Sequence, residues 1–210
     1  TRSGRVTGVQ TCALPIYYID LDLYDNSIIS YEAKNEFISE CETEALSHKK
    51  IFNSNGVSFT EARSNFILKN SNGFSNGRKS SIFSVSCDVV AKEEESMERD
   101  YEYSSKRFFN DLTKPKDIGR IAAEKASARL SPKKINSFTG PAVFEPRVSS
   151  SFLSHLISSI SGHNIARKVS FIKGDIGEIL FQENINVIDD PLIKEFQNKI
   201  FIKKDRSAEH

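Results

Sequence analysis

Between Ser81 and Ala91 the side chains alternate with a period of two: Phe83, Val85, Cys87 and Val89 fall on one side, Ile82, Ser84, Ser86 and Asp88 on the other. Successive side chains of a strand point to opposite faces, so this pattern requires a half-buried antiparallel strand with one dry face and one wet face. The neighbouring segments supply its partners. Asn53-Ser54-Asn55-Gly56 reads as a turn, Val57–Arg63 and Asn65–Lys69 as strands, Asn70-Ser71-Asn72-Gly73 as a second turn, and 73–78 as loop. Glu98–Phe108 continues as the next strand, with Arg99, Tyr101 and Tyr103 on one face and Glu98, Asp100 and Glu102 on the other. The predicted sheet is a meander.

Helices flank it. Over 31–48, Ala33, Phe37, Cys41 and Ala45 recur at i, i+4 with Ile38 beside them, while Glu32, Glu36, Glu40 and Glu44 lie opposite on what reads as a solvated face. A second helix is expected from Pro115, a residue suited to a first turn, to Leu130, with Ile118, Ile121, Ala122 and Ala126 as its packing stripe. Ser131-Pro132 ends it, because proline disfavours helical geometry in the residue before it. Lys133 and Lys134 then follow the helix end, where cations are favoured without any phosphate partner. Phe138–Gly140 reads as a domain boundary, followed by a Thr139-Gly140-Pro141 turn, a short strand over Ala142–Glu145 and a helix over 147–161. Phe152, Leu153, Leu156, Ile157 and Ile160 form that helix's apolar stripe, and burial of each is worth roughly 1.5–3 kcal/mol. A strand is expected over Ile185–Ile188, with Asp189-Asp190 in the turn that follows. The fold class is α+β: a helix, an antiparallel sheet and a helix, followed by the start of a second, mainly β domain.

The two ends read differently from the rest. Residues 1–16 and 206–210 resemble translated sequencing adapters and are not expected to fold, which leaves 17–138 as a partial N-terminal α/β domain and 139–205 as the start of a truncated C-terminal domain. The head carries Arg2 and Arg5 and the tail Arg206 and Glu209, so setting them aside takes the net charge from +1 to −1. Nucleic-acid binders neutralise phosphate with basic patches, so a chain of pI about 7.6 is not expected to contact DNA. The trimmed segment shows no membrane-spanning run and no secretory signal.

Cys12 lies in the adapter-like head, leaving Cys41 and Cys87 without the spacing of a zinc ribbon or a disulfide framework. Their positions on an apolar helix stripe and in an alternating strand predict buried free thiols, with a single bridge between the two as the alternative, and free thiols fit a reducing, cytoplasmic compartment. Gly77-Arg78-Lys79-Ser80 lacks a phosphate-loop frame and reads as a hairpin turn. Tyr101 and Tyr103 could stack on bases, but without a basic groove sheet packing is the better account. No G-x-S-x-G elbow is present, and no histidine is spaced for a catalytic arrangement with a nucleophile.

Three separated blocks carry a resemblance: Met97-Glu98-Arg99-Asp100-Tyr101-Glu102-Tyr103, Leu130-Ser131-Pro132-Lys133-Lys134 and Ala166-Arg167-Lys168-Val169-Ser170-Phe171-Ile172. In this order they resemble the PmbA/TldE family of the TldD/TldE peptidase group, older members of which were called modulators of DNA gyrase. The resemblance runs over nearly all of 20–201 and departs at His163–Ala166 and after Asp190-Pro191-Leu192. It implies one half of a two-subunit zinc peptidase.

In the metal-holding TldD-like half, an HExxxH motif supplies two zinc-ligating histidines and a glutamate that activates zinc-bound water. Anchored on Arg167-Lys168, those places fall on Ser154, His155 and Ser159, so the resemblance implies no catalytic residue, no bound cofactor and no metal in this chain. Moving the frame by one residue puts His155 first, but then Leu156 and Ile160 fill the other two places. His155 and His163 stand eight apart, which matches no ligand spacing, so each reads as a structural histidine.

Zinc is therefore expected in a TldD-like partner, with unfolded or extended polypeptide as substrate. The alternative is a non-enzymatic binding or regulatory module with chaperone-like action.

Overall fold

The computed structural model describes residues 20–172, 185–190 and 199–204. The adapter-like ends, 1–16 and 206–210, lie outside them. The described residues fall into two units: the first takes 20–133 together with Asp189, Asp190 and Lys199, the second 134–172, 185–188 and 200–204.

In the first unit, helix α1 spans Tyr31–Leu46. It begins where the Ser30 hydroxyl accepts the Ala33 N–H at 3.1 Å, satisfying one of the amides that a helix start leaves without an intrahelical partner. Strands β1 (Ile51–Lys69), β2 (Ser75–Glu93) and β3 (Ser96–Lys106) form an antiparallel sheet in the order β1-β2-β3. The pairing sets Val57 and Phe59 opposite Cys87 and Val85, and Cys87 and Val85 opposite Glu102 and Ser104. Phe83, Val85, Cys87, Val89 and Ala91 are consequently all buried on one face, as the alternation requires.

That face is covered by α1 and by α2, Pro115–Ala128, whose first position is the proline. Ile118, Ala122 and Ala126 from α2 join Cys41 and Ala45 from α1 and the inward residues of β2 in one core. Gly119 lets the two helices meet: a Cβ there would stand 2.2 Å from the Cys41 carbonyl oxygen and 3.0 Å from the Ala45 nitrogen. Phe37, Phe59, Phe83 and Phe109 close the far end through ring contacts of 5.9–6.1 Å, mostly edge-on.

Polar groups on this face are paired. Glu102 meets Lys125 of α2 at 2.6 Å, and the buried Asp100 accepts from Arg129 at 3.1 Å. The segment 20–27 is strapped to the sheet by Arg63, which donates to the carbonyls of Asp25 at 2.7 Å and of Ser27. Asp25 in turn accepts the amides of Ser27 and Phe109, both at 2.8 Å.

Several expectations are corrected. Asn53–Gly56 is not a turn but part of β1, which accommodates it through register shifts between Ile51 and Asn53 and between Ser54 and Gly56. Residues 75–78, expected as loop, belong to β2, and Gly77-Arg78-Lys79-Ser80 is strand rather than hairpin turn. The Gly77 position is tight, since a Cβ there would meet the Phe66 carbonyl oxygen at 2.7 Å. Tyr101 and Tyr103 share one face of β3, opposite Glu98, Asp100 and Glu102, as the alternation predicts. They stack on one another at 6.3 Å on the open face, 44% and 50% exposed, while the acidic residues of β3 take the covered side.

The second unit holds α3, Pro146–Ile160, and the short α4, Gly162–Ala166. Ala142–Glu145 is irregular chain, not strand. Strand β4, Ile185–Asp190, pairs with β5, Lys199–Lys204, so Asp189 and Asp190 lie in a strand rather than a turn. The expected burial of the α3 stripe is also corrected: Phe152, Ile157 and Ile160 are exposed, Leu153 and Leu156 half-buried. Periodicity identifies an apolar face. It does not supply the surface that covers it.

Candidate functional site

Helix α3 carries the three positions that the resemblance singles out. Pro146 opens it at a place where a missing N–H costs nothing, and serines then dominate its outward positions. Their hydroxyls turn back onto the helix: Ser149 to Glu145 O at 3.0 Å, Ser151 to Val148 O at 2.6 Å, Ser154 to Ser150 O at 3.2 Å and Ser159 to His155 O at 2.7 Å. Such back-bonding is the ordinary satisfaction of a mid-helix serine.

Ser154 and His155 are exposed, whereas Ser159 is buried. Ser154 and Ser159 stand in the same i, i+5 relation, about 140° apart around the helix axis, as the two histidines of the HExxxH motif, so residue type rather than spacing decides the fit. Zinc is held by imidazole, thiolate or carboxylate, and neutral hydroxyls already committed to helix carbonyls do not replace them. The residues present do not fit the metal. His163 stands apart on α4 with its Nε2 3.4 Å from Arg167 Nη1, a neighbour that offers no ligand. Among the described residues no three His, Cys, Asp or Glu side chains gather as a metal-holding group.

The sequence pattern did not reveal what fixes the end of α3. Ser170, inside the Arg167-Lys168-Val169-Ser170 block, donates to the Ser159 carbonyl at 2.7 Å, and its hydroxyl accepts the Ile172 N–H at 3.0 Å. Asn164 reaches back from α4 to the Ser158 carbonyl at 2.8 Å. The block that carries the resemblance thus anchors the chain just behind the motif positions.

In the first unit, a groove of about 710 Å³ runs between the 20–26 segment and the outer part of the β1–β2 hairpin. Asp20, Asp22, Lys69, Arg78 and Lys79 line it, charges of both signs without a nucleophile beside a base. Cys41 and Cys87 are both buried and free.

Comparison with known proteins sets these features in a family. Residues 24–130 match the PmbA/TldA metallopeptidase central domain and residues 137–203 the PmbA/TldA metallopeptidase C-terminal domain. The chain belongs to the PmbA/TldE family. A PmbA metalloprotease homologue of Haemophilus influenzae is 32% identical over 173 residues, 82% of this chain and 38% of that protein. Metalloprotease PmbA of Escherichia coli is 31% identical over 173 residues, with the same two coverages. This PmbA/TldE chain therefore spans less than two fifths of the length of those relatives.

A Bacteroides thetaiotaomicron protein described as a modulator of DNA gyrase superposes with a TM-score of 0.82 at 27% identity, over 94% of this chain and 48% of its own. TldE from Thermococcus kodakarensis shares the fold at a TM-score of 0.58 and 15% identity, over 88% of this chain and 47% of its own. The mixed α+β architecture is that of the PmbA/TldE proteins. Among the described residues no helix is long and apolar enough to cross a membrane.

Proposed function

We propose that this chain is part of the non-metal-holding, TldE-like subunit of a cytoplasmic TldD/TldE-type metallopeptidase complex. In this reading a TldD-like partner holds zinc and the catalytic base, and the complex hydrolyses unfolded or extended polypeptides. Membership of a metallopeptidase family supports the reaction class. One observation supports the division of labour: at Ser154 and Ser159, two of the three places that the resemblance matches to the motif, both hydroxyls are spent on their own helix, and the third place is His155.

His155 cannot take the role of the motif's glutamate, because an imidazole is not the carboxylate that draws a proton from metal-bound water there. The subunit's part is then to shape the chamber and stabilise its partner. Nothing in its composition, with a formal net charge of +1, calls for nucleic acid.

Co-expression of the full-length protein with its TldD-like partner tests the reading. The two are expected to co-purify, zinc to follow the partner, and cleavage of an unfolded polypeptide to require both. A monomer that leaves the partner's cleavage unchanged would instead favour a non-enzymatic, chaperone-like module.

A further inference from the structure

Strand β2 has a neighbour on both sides for only part of its length. β1 pairs with it from Ser75 to Ala91, whereas β3 pairs with it only from Phe83 onward. Next along that side, the Ser81 N–H donates to the Leu23 carbonyl at 2.9 Å, and among the described residues this is the one backbone bond between the 20–26 segment and β2. Main-chain groups alternate in direction along an antiparallel strand, so Lys79, Gly77 and Ser75 turn their N–H and C=O groups to the same side as Ser81, away from β1. That edge is bare. The Gly77 N–H is met by the side chain of its own neighbour, donating to Asn76 Oδ1 at 2.7 Å.

The groove of about 710 Å³ lies along this edge. In its outer wall Leu21 and Leu23 are buried, and the alternating Asp20 and Asp22 line the groove. On the hairpin side stand Lys69, Arg78 and Lys79, with Ile67 60% exposed between them and the aspartates' wall. All five charged side chains are exposed, and among the described residues none of them is in an ion pair. Elsewhere in the same unit Lys34, Lys50, Lys125 and Arg129 each hold a carboxylate. An unmade ladder thus runs between an anionic wall and a cationic one.

We propose that the Ser75–Lys79 edge of β2 takes an extended polypeptide segment of mixed charge as an added strand. The segment's main chain bonds to Gly77 and Lys79, its cationic side chains face Asp20 and Asp22, and its acidic ones face Lys69 and Arg78. Strand addition draws affinity from the main chain, which every sequence offers, while the two walls disfavour uniformly acidic or uniformly basic segments. The bare edge is about 16 Å long, enough for about five residues. Asn76 releases the Gly77 N–H on binding, exchanging one hydrogen bond for another. This docking needs neither zinc nor cleavage, so it goes beyond the peptidase reading and is tested apart from it.

The test is fluorescence anisotropy with the purified chain, kept dilute enough to stay unassociated. The probe is a labelled, terminally blocked short peptide of alternating threonine and valine, with a glutamate near one end and a lysine near the other. Two further probes carry N-methyl groups on one or the other set of alternate amides. The plain peptide is expected to bind, and methylation of one of the two sets to abolish binding, because only one set faces the strand. Asp20→Asn with Asp22→Asn, and Lys69→Gln with Arg78→Gln, should each weaken binding about fivefold or more, as should added salt. Failure of the plain peptide to bind, binding that survives methylation of either set, or binding untouched by both pairs of substitutions would overturn the proposal. The methylated probes are compared on the unaltered chain, so the outcome does not depend on a variant folding.

Discussion

Gly119 of α2 faces the carbonyl of Cys41 in α1 so closely that a methyl group there would stand 2.2 Å from the oxygen. The obstacle is backbone, which cannot swing aside as a side chain can. Gly119→Ala is expected to destabilise the first unit by about 1–3 kcal/mol or more, despite the better helix propensity of alanine. Urea unfolding followed by circular dichroism measures it, and an unchanged or raised midpoint would show that the helices are not in contact there.

Stability should fall with acid through Asp25 and Glu61. Burial pulls the Asp25 carboxyl upward, but the hydrogen bonds from Ser27 and Phe109 and the charge of Arg63 outweigh it, and its pKa is lowered. Hydrogen bonds from Lys34 and then Arg63 lower that of Glu61. A depressed folded-state pKa contributes stability above the unfolded value, about 4, and that contribution is lost as pH falls through the folded value. Urea midpoints measured from about pH 6 down to about pH 3 should decline, and Asp25→Asn should flatten part of the decline. A variant with the same slope as the parent would remove Asp25 from the account.

Phe138, Val143, Val169 and Phe171 of the second unit are 73%, 97%, 63% and 76% exposed. Apolar surface of this kind drives association. Light scattering of the purified chain is expected to show concentration-dependent self-association, reduced when Val143 and Phe171 are replaced by serine. A monodisperse monomer with a sharp, reversible melt would contradict this.

The sheet was legible in the sequence because its signal is local: the alternation through Phe83, Val85, Cys87 and Val89 states which side is dry before any partner is known. The α1 and α2 stripes were legible for the same reason. Asn53–Gly56 was misread because turn-forming residues also fit a bulged strand, and only the ladder to β2 distinguishes the two. On β3 the rule that polar residues face water fails, since Lys125 and Arg129 meet the carboxylates on the covered face and leave the tyrosines outside. At the candidate site, the residue types at Ser154, His155 and Ser159 could be read directly. The bonds from Ser170 and Asn164 that fix the end of α3 could not, because a serine or an asparagine has no periodic signature.

Metal retention tests the central claim most directly. The purified protein, loaded with zinc, desalted and analysed by atomic emission, is expected to keep less than one equivalent, and the amount should not change when Ser154, His155 and Ser159 are all replaced by alanine. One zinc per chain, lost on those replacements, would contradict the account.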